Sequence, residues 1–288
     1  MQIVTLGPKG TFSEEAALIY QKRISGQTTP ENIRFSNIFD CLQAVESYQA
    51  DRAVLPAENM VDGIIGITFD ALIEFHDFIK VNDEVHVNIK YVLAGQMEQP
   101  RKVKKIFSHP SALNQCAQNL ENLFPSIVPV PVASTAEAAV RATEEPGVAA
   151  LCSPRTAQEY DLNILYENLA DYPNNETRFF VCGLTDHAPT GNDRTLLAVR
   201  FGENRPGQLY GITGFFAENG IDLTFVQSRP YKVRPQEYVL LFEMIGHKSD
   251  PGLKKALHQV EQMVRKTNGW KKVLGSYPRR KKEESGDS

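Results

Sequence analysis

Residues 2–23 read QIVTLGPKGTFSEEAALIYQKR, and the fold class turns on how this stretch divides. QIVTL is a short apolar run with β-branched residues, which favours a strand. GPKG breaks it. SEEAALIYQKR then follows a helical pattern. Thr11 and Glu14 have the spacing of a capping box at the helix start. A strand that passes through a glycine-containing turn into a helix is the building unit of an α/β sheet.

The alternation continues to about residue 183. Strands are expected at RAVLPA (52–57), KYVLAG (90–95), KKIFS (104–108), VPVPV (128–132), GVAALC (147–152) and RFFVCG (178–183). Helices are expected over 69–76, 110–124, 135–145 and 156–162. Ser134 and Glu137 repeat the capping-box spacing, and Pro110 and Pro154 suit first helical positions. Several helices therefore begin directly after a strand. In open α/β sheets that rim is where ligands bind, and helix N-termini there favour anions.

DYPNNETRFFVCG (171–183) bears on the same rim. A polar loop runs through Thr177 and Arg178 into an apolar strand, and an arginine at the mouth of a buried strand needs a negative partner. Several helix starts on one rim, joined by Arg178, point to a binding cleft for a small polyanion.

The bulk numbers narrow the class. The chain has 288 residues, 42% hydrophobic and 23% charged, as in ordinary globular proteins, and its length suits two domains. A net charge of −4 offers no bulk attraction to nucleic acid or to an anionic membrane. No apolar run approaches the roughly 20 residues of a spanning helix, and the N-terminus lacks the pattern of a signal peptide. The four cysteines, Cys41, Cys116, Cys152 and Cys182, are dispersed in apolar contexts and read as buried thiols. A cytoplasmic protein without metal or organic cofactor is the expectation.

After a turn-rich linker over 184–194 the pattern changes. TLLAVRF, PGQLYGITGFFAENG, IDLTFVQSRP, YVLLFEMIG, GLKKALHQVEQMVRKT and WKKVLGSYP give strand, helix, strand, strand, helix, strand over 195–278. This βαββαβ order is ferredoxin-like. The charged tail, 279–288, reads as disordered.

GPKGTFSEEAA (7–17), PAENMVDG (56–63), SHPSALNQC (108–116), STAEAA (134–139) and NETRFFV (175–181) stand in an order that resembles the prephenate dehydratase family. GQLYGITGFFAENGIDLTFVQSRP (207–230) and LGSYP (274–278) resemble the regulatory ACT domain that follows in those enzymes. The resemblance implies a two-lobed, periplasmic-binding-protein-like catalytic unit over 1–183. It implies conversion of prephenate to phenylpyruvate with loss of water and carbon dioxide, feedback by L-phenylalanine, and a homodimer or homotetramer. By position it assigns catalytic roles to Thr177, Ser108 and Gln115, the last two facing one side of a helix start. Arg178, Phe179, Asn59, Gly10, Thr11 and Phe12 are expected at the substrate. Gly207, Gln208, Leu209, Asp222, Leu223, Gln227, Ser228, Arg229 and Pro230 are expected at phenylalanine. Glu58 is a weaker candidate acid, and His109 reads as structural.

Some positions depart from the family pattern. Ala57, Met60 and Ser111 replace a usual Ile, a hydroxyl residue and Gln. In the C-terminal unit Gln208 stands for Ala, Asp222 for Asn, and Gln227 for Glu. The last two suggest that the charge receiving the effector's ammonium has moved to Asp222. The same scaffold acting on arogenate, and a non-catalytic sensor of aromatic amino or keto acids, are the alternatives.

Overall fold

QIVTL and SEEAALIYQKR fold as read. In the computed structural model, β1 (Ile3–Leu6) leads into α1 (Phe12–Ser25), and Glu14 Oε2 accepts the Gly10 N–H at 2.8 Å. Thr11 makes no capping bond with its side chain; its hydroxyl donates to the Pro8 carbonyl instead. The structure describes residues 1–74, 78–232 and 237–280. The tail beyond 280 and the end of the helix expected over 69–76 lie outside them.

Next come β2 (Ile33–Ser36), α2 (Ile38–Glu46), β3 (Arg52–Asn59), β4 (Gly63–Ile64), α3 (Gly66–Glu74) and β5 (Lys80–Asn88). They are followed by β6 (Val92–Gly95), β7 (Lys105–Ser108), α4 (Pro110–Gln115), α5 (Ala117–Leu123), β8 (Val130–Pro131) and α6 (Thr135–Glu144). Then come β9 (Val148–Cys152), α7 (Pro154–Glu159), β10 (Asn163–Tyr166) and β11 (Glu176–Gly183). The C-terminal unit holds β12 (Asp193–Arg200), α8 (Gln208–Glu218), β13 (Leu223–Pro230), β14 (Tyr238–Ile245), α9 (Pro251–Arg265) and β15 (Trp270–Pro278).

Two sheets build two lobes. The first runs β2-β1-β3-β11-β5, with β4 beside β3; the second runs β10-β6-β9-β7-β8. The chain crosses between them at 89–91 and again at 167–175, and the crossings bond to each other through Leu169 N–H to Tyr91 C=O at 3.0 Å. β11 thus returns to the first lobe and carries Thr177 to the cleft beside β3.

Three local readings change. The helix expected over 110–124 breaks at Cys116, because Asp171 accepts from the N–H groups of Gln118 and Asn119 and so starts a second helix. VPVPV pairs only at Val130–Pro131, since proline cannot donate to a ladder. β12 begins at Asp193, inside the expected linker, where Asp193 accepts from Thr190 and Gly191.

The third sheet has the order β13-β14-β12-β15, the ferredoxin-like arrangement. One face is covered by α8 and α9, through Ile212, Phe216, Leu253 and Val260. The other face carries Leu196, Ala198, Leu241, Leu274 and Tyr277, which share one core with Phe69, Phe180 and Cys182 of the first lobe. Phe180 sits 5.6 Å from Phe69 and 5.8 Å from Tyr277, ring to ring. β15 crosses so close to β5 that a Cβ on Gly275 would lie 2.0 Å from the Val81 carbonyl oxygen, so only glycine fits. The two-lobed and C-terminal units are therefore docked by a common hydrophobic core. Cys41, Cys116, Cys152 and Cys182 are free and buried, and burial pushes the Cys41 thiol up to about 12. Among the described residues no helix is long and apolar enough to cross a membrane.

Candidate active site

Asn59, at the end of β3, lies directly opposite Thr177 on β11. Its Nδ2 donates to Thr177 Oγ1 at 2.9 Å and to Asn175 Oδ1 at 2.9 Å. Its Oδ1 accepts the N–H groups of Val61 and Asp62, both at 2.9 Å, which sets the amide's orientation. Asn175 Nδ2 in turn donates to Gln115 Oε1 at 2.6 Å. Gln115 Nε2 reaches Asp62 Oδ2 at 2.5 Å, and the same oxygen accepts from Ser111 Oγ at 2.5 Å. A chain of polar side chains thus joins the lobes: Asn59, Asp62 and Thr177 on the first, Ser111 and Gln115 on the second, Asn175 in the crossing segment. Thr177, Asn59, Gln115 and Asn175 are all buried. Because Thr177 Oγ1 already accepts from Asn59, its own proton is left for an acceptor in the cleft.

The first cleft loop meets the second lobe. The Gly10 carbonyl accepts from Thr156 Oγ1, Lys9 pairs with Glu159, and Phe12 packs edge-on against Tyr91 at 5.6 Å. Gly10 has φ +83°, and a Cβ there would press 3.3 Å from Glu159 Oε2. Thr11 stands at this rim with its hydroxyl turned to its own loop.

Three expected assignments are corrected by geometry. Ser108 is wholly buried, and its hydroxyl donates to the Leu151 carbonyl at 2.6 Å, tying β7 to β9 rather than facing the Gln115 side chain. Phe179 is 1% exposed and belongs to the first-lobe core with Val85, Val87 and Ala16, so it does not line the cleft. Arg178 turns away from the cleft altogether. Successive strand residues point to opposite faces, so Thr177 and Arg178 cannot share one. The guanidinium lies over the Phe180 ring at 5.2 Å, inside the interface with the C-terminal unit.

The negative partner that Arg178 needs is internal. Its Nη1 donates to Glu243 Oε1 at 2.8 Å and Oε2 at 3.1 Å; Glu84 lies at 3.5 Å and Glu58 at 3.3 Å. Glu243, on β14, also accepts from Tyr277 Oη at 2.5 Å and Thr224 Oγ1 at 2.8 Å. Arg194 approaches Glu84 and Glu243 at 3.4 and 3.6 Å. Burial opposes the charge on Arg178, but Tyr277, Glu243, Glu84 and Glu58 together hold its pKa above the ordinary value. Burial would raise Glu84, yet the His86 imidazole 3.4 Å away and the charges of Arg194 and Arg178 keep it below the usual range. His86 bridges Glu84 and Glu176 and is shifted upward: burial lowers it, and the two carboxylates more than compensate. Glu58 therefore braces Arg178 and does not serve as a cleft acid.

A family model for prephenate dehydratase matches residues 3–186, and one for the ACT domain matches 195–262. The chain belongs to the prephenate dehydratase family. A bifunctional chorismate mutase/prephenate dehydratase of Aquifex aeolicus is 36% identical over 280 residues, 97% of this chain and 74% of that protein. The crystal structure of an Arthrobacter aurescens prephenate dehydratase in complex with L-Phe superposes with TM-score 0.86 at 30% identity, covering 99% of this chain and 92% of the other. A quorum-quenching acylase, GqqA, also superposes, with TM-score 0.82 at 26% identity over 97% and 98% of the two chains.

In this prephenate dehydratase family member the C-terminal unit holds a cavity of about 290 Å³ lined by Phe201, Asn204, Arg205, Gly207, Gln208, Leu209, Ser228, Glu237, Tyr238 and Leu240. Gly207, Gln208, Leu209 and Ser228 of the expected effector residues are there. Gln208 spends its amide on the loop, accepting from Arg205 N–H and donating to the Glu203 carbonyl. Leu223 packs into the helix-side core instead, and Gln227 donates to the Ser228 carbonyl. Pro230 ends the strand, exposed. Arg229 faces the catalytic unit and forms a bidentate pair with Asp70 of α3, at 2.5 and 2.8 Å. Asp222 is exposed just before β13, at the opposite end of that strand from Ser228, so within this chain it is not the cavity's carboxylate. Glu237 is, held 3.2 Å from Arg200 Nε. Asp62, Asn175, Glu84, Glu243 and Glu237 were not singled out from sequence. Asp62 lies inside PAENMVDG and Asn175 opens NETRFFV, which are the signals that could have found those two.

Proposed function

We propose that the chain converts prephenate to phenylpyruvate, carbon dioxide and water, and that L-phenylalanine regulates it at the C-terminal cavity. The observation that carries the reading is the Asn59–Thr177 pair. Asn59 occupies the threonine oxygen as acceptor and leaves its O–H free to donate, as a leaving hydroxyl requires. As the ring C–O bond breaks, the electron pair of the ring-carboxylate C–C bond enters the ring. Carbon dioxide departs, and the hydroxyl leaves with a proton as water. The product ring is aromatic, so the protein's task is orientation and assistance to the departing oxygen. Gln115 Nε2 and Ser111 Oγ, which converge on one oxygen of Asp62, are donors of the kind a substrate carboxylate takes.

Among the described residues, the hydroxyls of Ser108 and Thr177 have no histidine, lysine or carboxylate bonded to them as a base, whereas Ser111 donates to Asp62; amide hydrolysis of the kind an acylase performs would have to use that pair. One observation favours arogenate: Asp62 forms no ion pair among the described residues and stands in the cleft, where it could receive that substrate's ammonium. Self-association is proposed to use the outer strand β13 and α8, where Val226, Leu209 and Tyr210 are exposed.

Purified protein is incubated with prephenate, arogenate or an N-acyl amide in parallel. Phenylpyruvate, read by its absorbance in alkali, is expected from prephenate. Phenylalanine from arogenate alone would favour the second substrate, and amide cleavage without either product would overturn the reading.

A further inference from the structure

We infer that Glu243, although it belongs to the C-terminal unit, is a positioning residue for the dehydration, acting on Thr177 through Arg178. The proposal rests on the dehydratase reading above and deepens it.

Asn59 and Thr177 are cross-strand partners on one face of the β3–β11 pair; Glu58 and Arg178 are the next partners, on the other face. The register slips immediately afterwards, between Arg178 and Phe179, so Phe179 stands opposite Pro56. A bulge of this kind interrupts the ladder and re-aims nearby side chains. β5 pairs with β11 without interruption from Glu176 to Val181, but on the β3 side, where Asn59 stands, the regular ladder is lost beside the reacting hydroxyl. Side-chain bonds on the reverse face hold β11 to β3 there. Arg178 holds Glu58 at 3.3 Å, next to Asn59, and is itself next to Thr177. What anchors Arg178 is Glu243, at 2.8 and 3.1 Å, which Tyr277 and Thr224 hold from two further strands of the C-terminal sheet. Arg178 and Glu243 are 6% and 2% exposed, so water does not replace these bonds. The third sheet thus clamps the back of the two strands that carry the catalytic pair, and the cleft's geometry is complete only when that sheet is docked.

The test uses the full chain without phenylalanine. Glu243→Gln keeps the shape but removes the charge and turns an NH2 toward two of its donors, Arg178 with either Tyr277 or Thr224. The expected result is a kcat for prephenate at least tenfold below wild type with KM within threefold. The comparison variant is Val260→Ala, which loosens the core beneath α9 far from β11. Both are assayed well below their melting temperatures, and Val260→Ala is expected to keep the wild-type kcat. A Glu243→Gln loss under threefold, or an equal loss in Val260→Ala, overturns the proposal. Should Glu243→Gln fail to fold, Tyr277→Phe decides: it keeps the ring against Phe180 and removes one bond to Glu243. A two- to fivefold lower kcat is expected there, and a wild-type kcat overturns the proposal. Absence of phenylpyruvate from wild type itself would instead sink the dehydratase reading.

Discussion

Replacing Arg178 by methionine separates a structural arginine from a substrate-gripping one. The guanidinium is 6% exposed and faces Glu243 and Glu84, which are 2% and 0% exposed. Removing it leaves two buried carboxylates that keep neutral donors such as Tyr277 and Thr224 but, among the described residues, have Arg194 and His86 as their remaining side-chain cations. Breaking a buried pair in this way costs about 3–5 kcal/mol. With an unfolding entropy of about 2.1 cal/mol/K per residue, a chain of this length loses roughly 5–8 °C in melting temperature. Removing Glu243 as well, in Arg178→Met/Glu243→Met, takes away one of the uncompensated charges and recovers part of the loss, because an apolar pair of similar volume can replace a buried ionic one. Scanning calorimetry at pH 7 reads both values, and prephenate kinetics are measured alongside. The expected kinetic change in Arg178→Met is in kcat. A melting temperature within 1 °C of wild type, with KM raised tenfold or more, would refute the reasoning, because a guanidinium facing the cleft behaves that way.

Further outcomes follow from other contacts. Gly275→Ala places a methyl 2.0 Å from the Val81 carbonyl oxygen, and should undock the C-terminal sheet; faster protease cleavage between 184 and 192 and a lower melting temperature would report it. His86 has its pKa raised in the folded state, so its contribution to stability is full below about pH 6.5 and is lost as pH rises through the raised value. His86→Gln should flatten that part of the melting-temperature profile, and an unchanged slope would contradict the assignment. Arg229 links the strand carrying Ser228 to α3 through Asp70; Asp70→Asn should weaken inhibition by phenylalanine at least fivefold while calorimetric affinity for phenylalanine stays within twofold.

Much of this architecture could be read before the structure. β1, α1 and the ferredoxin-like unit follow from hydrophobic period and turn residues. β5 was invisible because its middle, NDEVH, is polar. Those side chains are buried and paired with distant groups: Asp83 with Arg23 and Arg280, Glu84 with Arg178 and Arg194, His86 with Glu176. Arg178 was misread for the converse reason. A buried arginine was rightly expected to need an acid, but its partner lies 65 positions away on another domain, and no local pattern marks it. Strand alternation alone would have separated Thr177 from Arg178. Ser108 misled because a hydroxyl before a helix suggests a cap or a ligand contact, whereas a neighbouring strand's carbonyl takes it. The Asn59–Asn175–Gln115–Asp62 chain joins residues 53 to 116 positions apart, which only the closure of two lobes brings together.

The hydroxyl of Thr177, presented by Asn59, is asked to supply the acid assistance to the leaving oxygen, a contribution of about 10²–10⁴ in rate. Thr177→Val keeps the branched shape of the side chain and removes only that hydroxyl. The most direct measurement is its kcat for prephenate beside wild type, with folding checked by melting temperature. A fall of at least a hundredfold in a folded variant is predicted, and a kcat within threefold of wild type would contradict the account.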